Sequence, residues 1–357
     1  MRRHCFTRLL AGGLLATMAA AHAQGVSERG PDWPTATKAE QAFDAKTFAG
    51  LDRSIAELTD IRSVVVIRRG RVAFEYHRDG YTQDTLHSVE SVTKSVLSAL
   101  VGIAHAQGRI TSLDQPIVDL MPELASVNTD PRAQQLTVRH LLTMTAGFKR
   151  SEHRFFDPKE RAQFAMSRAF ESAPGEAFRY DNPASDLLSA VLEKAVGEKP
   201  AAYAQRHLFA PLAILRSDWR VDERGHNLGH TGLSLSTRDM AKLGQLFLQD
   251  GVWAGQQVVP KDFALAATDR QHAGMSPKGL AYGFLWWVPQ SGPGQRVFLA
   301  SGFGGQIVWV HQPLDLVVAA SSDISEASTA GDQAINLARR QISDLVNRSQ
   351  AEQPAAR

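Results

Sequence analysis

Ser91 and Lys94 stand three positions apart at the head of an apolar stretch that runs from Ser91 to Gln107. On a helix, side chains three apart share a face. The pair therefore sets an amine beside a hydroxyl, the arrangement a serine nucleophile needs when no histidine serves it. The pattern is common, with about one Ser-x-x-Lys expected by chance in a chain this long. Here it occurs once. A serine at a helix start can also be a plain cap, with its lysine solvated. The next turns oppose that reading. Val96, Leu97, Leu100, Val101 and Ile103 make the helix apolar on more than one face, so it should be buried. A lysine in the first turns of a buried helix needs a reason. An amine taken out of water also releases its proton more readily.

Tyr180-Asp181-Asn182 is the only Tyr-x-Asn of the chain. Alone, it reads as a packing aromatic followed by a helix cap. Beside an amine and a hydroxyl, Tyr180 offers a second proton carrier, since a nearby ammonium stabilises a phenolate. The third element is Ala300-Ser301-Gly302-Phe303-Gly304-Gly305-Gln306, which enters an apolar strand. Glycines there let the backbone approach a ligand. A backbone N–H from this segment, with that of Ser91, could form an oxyanion hole; a simple turn would use the same glycines.

Other chemistries lack support. The chain has no Gly-x-Ser-x-Gly elbow, no phosphate loop and no dinucleotide glycine pattern. His226 and His230 are four apart, but Gly225 and Gly229 argue against a helix and no third ligand is near, so no metal is expected. No cofactor is expected either.

Targeting and composition narrow the setting. Arg2, Arg3 and Arg8 precede an apolar run from Leu9 to Ala20, and Ala21-His22-Ala23 is a small-x-small cleavage site. Residues 1–23 read as a secretory signal peptide; the apolar run is short of the ~20 residues a span needs. A periplasmic or secreted protein follows, with no stable membrane insertion. Cys5, the only cysteine, lies in that segment, so the mature chain has no thiol. Three of the 39 Lys and Arg go with it, leaving 36 against 37 acids. This balance gives no reason to expect nucleic acid as a partner.

The elements that must position the three motifs follow from patterning. An amphipathic helix is expected over Phe43–Leu58. Strands are expected over Ser63–Ile67 and Val72–Tyr76 about a hairpin turn at Arg68–Arg71. The Ser91 helix should stop at Gly108. Helices starting at Thr137 and running from Asn182 to Val196 fill a helical middle. A further helix opens at Ser236. Strands return over Gly283–Val288, Val297–Leu299, Gln306–Val310 and Leu316–Ala320, and a last helix covers about Thr329–Asn347. Strands near both ends and helices between them predict an α/β (α+β) fold: an antiparallel sheet flanked by helices, with a helical insertion lobe. One domain is expected over 24–348. Its α/β lobe takes about 40–109 and 208–347, its helical lobe about 110–207, and a disordered tail covers 349–357. Ser91 should lie in the cleft between lobes.

On these motifs the chain resembles serine hydrolases of the β-lactamase and penicillin-binding-protein type. The branch it is most similar to holds class C β-lactamases, DD-carboxypeptidases, esterases of that fold and 6-aminohexanoate-dimer hydrolases. The likeness covers about residues 40–347. Supporting stretches are Gly108-Arg109-Ile110 to Leu113-Asp114, Leu141 to Gly147, and Tyr282-Gly283-Phe284-Leu285-Trp286-Trp287. The resemblance implies Ser91 as nucleophile and Lys94 and Tyr180 as proton carriers. It also implies that Asn182 bonds Lys94 or the substrate, and that the N–H groups of Ser91 and Phe303 hold the oxyanion. Ser301, Gly302, Phe303 and Trp287 are expected to line the substrate site. One departure matters: such proteins commonly carry Lys-Thr-Gly or His-Thr-Gly on a late strand, where this chain has Ala300-Ser301-Gly302. His230-Thr231-Gly232 occurs ahead of the Ser236 helix, too early for that role. The expectation is a serine hydrolase acting on a small ester, amide or β-lactam-like molecule, with esters or amides favoured. A β-lactamase or DD-carboxypeptidase is the alternative, and a non-catalytic cell-wall binding module a second one.

Overall fold

A computed structural model describes residues 33–351 except 35, 151–159, 275–278, 293 and 326–329. The expected signal peptide lies outside the described residues. In chain order, helices α1 (Lys38–Thr47) and α2 (Leu51–Ala56) lead into strands β1 (Ile61–Arg68) and β2 (Arg71–His77). Strand β3 (His87–Ser88) precedes α3 (Val92–Ala106). The middle holds α4 (Ile117–Leu120), α5 (Val138–Leu142), α6 (Arg161–Ser167), α7 (Asn182–Val196) and α8 (Pro200–Ala204). Then come β4 (Asp218–Trp219), β5 (Leu233–Leu235), α9 (Thr237–Leu248), the hairpin β6 (Val252–Trp253) and β7 (Gln256–Gln257), and α10 (Lys261–Ala267). The last segment adds β8 (Ala281–Tyr282), β9 (Trp287–Val288), β10 (Val297–Gly302), β11 (Gln306–His311), β12 (Leu316–Ser322), α11 (Ala330–Asn336) and α12 (Ser343–Ala351).

The sheet joins the two ends of the chain. Its order is β2-β1-β12-β11-β10-β9-β8, antiparallel throughout, with Val64 opposite Ala320 and Val66 opposite Val318. Arg69 and Gly70 both take positive φ at the first hairpin, the handedness that matches strand twist in a two-residue turn. Helix α9 lies on β12, β11 and β1. Its Gly244 faces Val308, Val310 and Val317, and its Thr237 Oγ1 meets Ser321 Oγ at 2.7 Å. Helix α11 packs on the same three strands. Every residue of β12 is buried whichever way it points, so helices close both faces, as expected for such strands.

Helix α3 runs between this sheet and the helical lobe, touching β10 and β11 on one side and α7, α8 and α10 on the others. All residues from Val92 to Ala104 are buried. Each of Val96, Leu97, Leu100 and Val101 contributes roughly 1.5–3 kcal/mol relative to exposure, which outweighs the cost of ordering one lysine beside them. Gly108, at φ 70°, follows the helix end as expected. Gly197 closes α7 at φ 77°, and Ser236 caps α9 by accepting the Asp239 N–H.

Among the element boundaries that differ from expectation, three stand out. The first helix is broken in two, because Gly50 takes φ 78° between α1 and α2. The run Gly283–Val288 is not one strand: Leu285 at φ 61° turns the chain between β8 and β9. The last helix reaches Ala351, so residues 349–351 of the expected tail are helical.

Candidate active site

Ser91 sits at the N-cap of α3, directly after Glu90, whose φ is 49°. A left-handed non-glycine before a helix is costly and persists only where neighbours over-determine it. Here they do. The Glu90 carboxylate accepts from Ser88 Oγ at 2.7 Å and Thr231 Oγ1 at 3.0 Å. Val89 N–H donates to Leu233 O at 2.9 Å, and the Leu233 N–H donates to Thr93 Oγ1 at 3.3 Å. The turn is thus bolted to residues 231–233.

Lys94 is 1 % exposed. Its Nζ lies 2.9 Å from Ser91 Oγ and 2.8 Å from the backbone oxygen of His230. Ser91 Oγ stands 3.4 Å from that same oxygen. The Tyr180 ring flanks the amine, its centroid 4.9 Å from Nζ. Hydroxyl, amine and phenol ring are therefore brought together; the spacing of Ser91 and Lys94 on one helix face led us to expect the first two side by side.

Tyr180 is held from both sides of the chain. The Arg179 N–H donates to Met144 O at 2.8 Å, and the Asp181 N–H points at Met144 Sδ at 3.4 Å. Asp181 makes two bonds to Arg168, at 3.0 and 2.7 Å. Met144 itself takes φ 57°. Beside it, Gly147 approaches Ser172 O so closely that a Cβ would stand 2.5 Å away. The Leu141–Gly147 stretch is thus the mould for the tyrosine.

An aromatic wall continues from Tyr180. Trp287 stacks on its ring at 5.5 Å, and Tyr282 meets it edge-on at 6.3 Å. Burial, with Tyr180 beside it, pushes the Tyr282 phenol well above its ordinary range, so it stays protonated. Trp286 points the other way, into the core against Phe247 and Phe298. Ser95 Oγ donates to Leu285 O at 2.8 Å, and the Leu285 N–H to Leu142 O at 3.0 Å. Those two bonds fix the β8–β9 turn against α3 and α5 and set Trp287 in place.

The end of β10 closes the remaining side. A Cβ on Gly302 would lie 2.4 Å from Val89 O, so only glycine lets the strand approach the Ser91 turn. Ala300 and Ser301 pair with Val308 and Ile307 on β11 and bring no charge. Phe303 is 59 % exposed. Asn182 opens α7 and is exposed; the Lys94 amine bonds to Ser91 and to the His230 carbonyl, not to Asn182.

Sequence reasoning missed three contributors. The segment at His230 is early in the chain, yet β5 pairs with β3 and carries it to Ser91. Linear order hid this; the flanking Gly229 and Gly232 were the available signal. Asp186 is buried within α7 and accepts the His230 Nδ1–H at 2.8 Å. An acid inside an otherwise apolar helix face was its signal. Glu90 had none. His226 turns instead to Glu193, at 3.0 Å. Among the described residues no three His, Cys, Asp or Glu side chains cluster as metal ligands. A cavity of about 750 Å³ in the helical lobe is lined by Glu123, Arg161, Asp186, Glu193 and others, but not by Ser91, Lys94 or Tyr180.

An antiparallel sheet closed by helices on both faces, with a half-buried serine beside a buried lysine at the head of a central helix, defines a hydrolase of the serine β-lactamase and penicillin-binding-protein type. The chain belongs to the beta-lactamase family, whose sequence profile matches residues 51–340. It is 28 % identical to the 6-aminohexanoate-dimer hydrolase of Paenarthrobacter ureafaciens, over 92 % of this chain and 86 % of that one. It is 26 % identical to esterase EstB of Burkholderia gladioli over 51 % of this chain and 53 % of that one. Among solved structures, the octameric penicillin-binding protein homologue from Pyrococcus abyssi superposes with a TM-score of 0.64 at 20 % identity, covering 82 % of this chain and 76 % of that one. The protein is an enzyme, a hydrolase.

Proposed function

We propose that the protein cleaves a small ester or amide through an acyl-enzyme on Ser91. The observation that carries this is the 2.9 Å contact between the Ser91 hydroxyl and the buried Lys94 amine. At attack, the Ser91 O–H bond breaks, its proton passes to the Lys94 amine, and Oγ bonds the substrate carbonyl carbon. The carbonyl oxygen becomes an oxyanion held by the N–H groups of Ser91 and Phe303. The C–O or C–N bond then breaks, and Lys94 and Tyr180 share the proton delivered to the leaving group. Water repeats the sequence on the acyl-enzyme. No metal or cofactor enters the scheme. Asn182, Ser301, Gly302 and Trp287 border the substrate in this reading.

Two observations favour esters or linear amides over β-lactams. Ala300 and Ser301 stand uncharged where a lysine or histidine would grip a carboxylate. The half-buried Tyr180 ring, backed by the buried Trp287, supplies an aromatic surface that suits apolar groups. The similarity to a 6-aminohexanoate-dimer hydrolase and an esterase points the same way. The residue pattern at 1–23 supports export to the periplasm or beyond. A fluorophosphonate probe tests the core of the proposal: it should modify the wild-type protein and leave Ser91→Ala untouched.

A further inference from the structure

We infer that Asp186 is a positioning residue for Lys94, acting through the backbone of residues 229–230. This rests on the Ser91 reading above. One oxygen of Asp186 accepts three N–H groups: Gly229 N at 2.9 Å, His230 N at 3.3 Å and His230 Nδ1 at 2.8 Å. Its other oxygen accepts from Arg161 at 2.9 Å. A carboxylate can only accept, so Nδ1 of His230 carries the proton. The side chain is nearly closed to solvent, at 6 %. The far end of the same peptide segment is the His230 carbonyl, which takes an N–H of Lys94 at 2.8 Å.

The consequence is directional. A carbonyl oxygen has no proton to give, so it always occupies one Lys94 N–H. In the neutral amine this leaves the lone pair free to turn to Ser91 Oγ, 2.9 Å away. If the 229–230 backbone drifts, the amine loses that orientation while substrate contacts stay as they were. Burial alone would raise the Asp186 carboxyl; His230, Arg161 and the Gly229 N–H outweigh it and hold the group below its ordinary range, so it remains an acceptor at neutral pH.

A second feature pins the same segment. Gly229 lies so close to α7 that a Cβ would stand 2.0 Å from Ser185 O. The segment is further held by Ser189 Oγ, which donates to Asn227 O at 2.9 Å. Gly229→Ala must therefore push the segment away from α7 without touching a charge.

The test measures the fluorophosphonate labelling rate, and kcat and KM for p-nitrophenyl acetate, on the full mature protein. Wild type is compared with Asp186→Asn, Asp186→Ala and Gly229→Ala, with near-UV circular dichroism reporting the fold. Asp186→Asn keeps an acceptor for the backbone N–H groups and should lose about tenfold in labelling rate and kcat. Asp186→Ala should lose about a hundredfold, with KM in both within about twofold. Gly229→Ala should fall in the same sense. Folded Asp186 variants that label and turn over like wild type overturn the inference, as does a fall in activity carried by KM alone. Loss of fold in every variant assigns Asp186 to stability only and overturns it too. If wild type itself is not labelled at Ser91, the reading beneath fails instead.

Discussion

At the scale of residues, the proposed activity rests on one hydroxyl, one amine and one phenol. Ser91→Ala should abolish hydrolysis of an activated ester, because in the proposed mechanism its hydroxyl carries the acyl group. Lys94→Ala and Tyr180→Phe should each lower kcat by on the order of 10² to 10⁴, measured on p-nitrophenyl esters. Variants within tenfold of wild type would remove Lys94 or Tyr180 from the proton path. The uncharged Ala300-Ser301 pair makes a second prediction. A charge-assisted contact is worth roughly 1.5–3 kcal/mol, so its lack costs about ten- to a hundredfold for a carboxylate-bearing β-lactam. Wild type should therefore prefer a short-chain p-nitrophenyl ester to nitrocefin. Ser301→Lys or Ala300→Lys should move the kcat/KM ratio toward nitrocefin. Efficient nitrocefin hydrolysis by wild type would end the ester preference.

At the scale of elements, close helix packing holds the site together. A Cβ on Gly102 would stand 2.5 Å from the Phe263 ring on α10. Gly102→Ala should therefore cost about 1–3 kcal/mol by overpacking, despite the better helix propensity of alanine. Thermal melting reads this as a lower Tm, and an unchanged or raised Tm would show that α10 yields freely. The elements most legible in the sequence were those with strong periodicity and clear stops: α3 with Gly108, α7 with Gly197, α9 with its Ser236 cap. Boundaries set by one left-handed residue were not legible. Gly50 and Leu285 each turn the chain inside a run whose composition suits a single element. In the same way Ser91, Lys94 and Tyr180 could be read from local pattern. Glu90 left no local mark, and Asp186 and the His230 segment left only an acid in an apolar helix face and flanking glycines, because their contacts arise from pairing of strands far apart in sequence, such as β3 with β5. A backbone carbonyl also leaves no mark in residue identity.

At the scale of the whole molecule, stability should depend on pH through groups buried uncharged. His87 is 8 % exposed. Burial first, then His77 and Arg62, depress it to about 4 from the ordinary 6.5. Between those values the unfolded chain binds a proton that the native one refuses. Stability from this group is present above about 6.5 and is lost as pH falls toward 4, by on the order of 3 kcal/mol. Urea unfolding at pH 7 and pH 4.5 should show the loss, and His87→Gln should flatten it; an equal slope in the variant would place the dependence elsewhere. The proposed export makes a further prediction. N-terminal sequencing of material from the periplasm should begin near Gln24, and intact Met1 protein confined to the cytoplasm would contradict the signal peptide. The most direct test of the central claim is mass spectrometry of the protein quenched during turnover of a slow ester or linear amide. The account predicts an added acyl mass on the peptide bearing Ser91, absent in Ser91→Ala. Full turnover with no adduct, or an adduct on another residue, would contradict it.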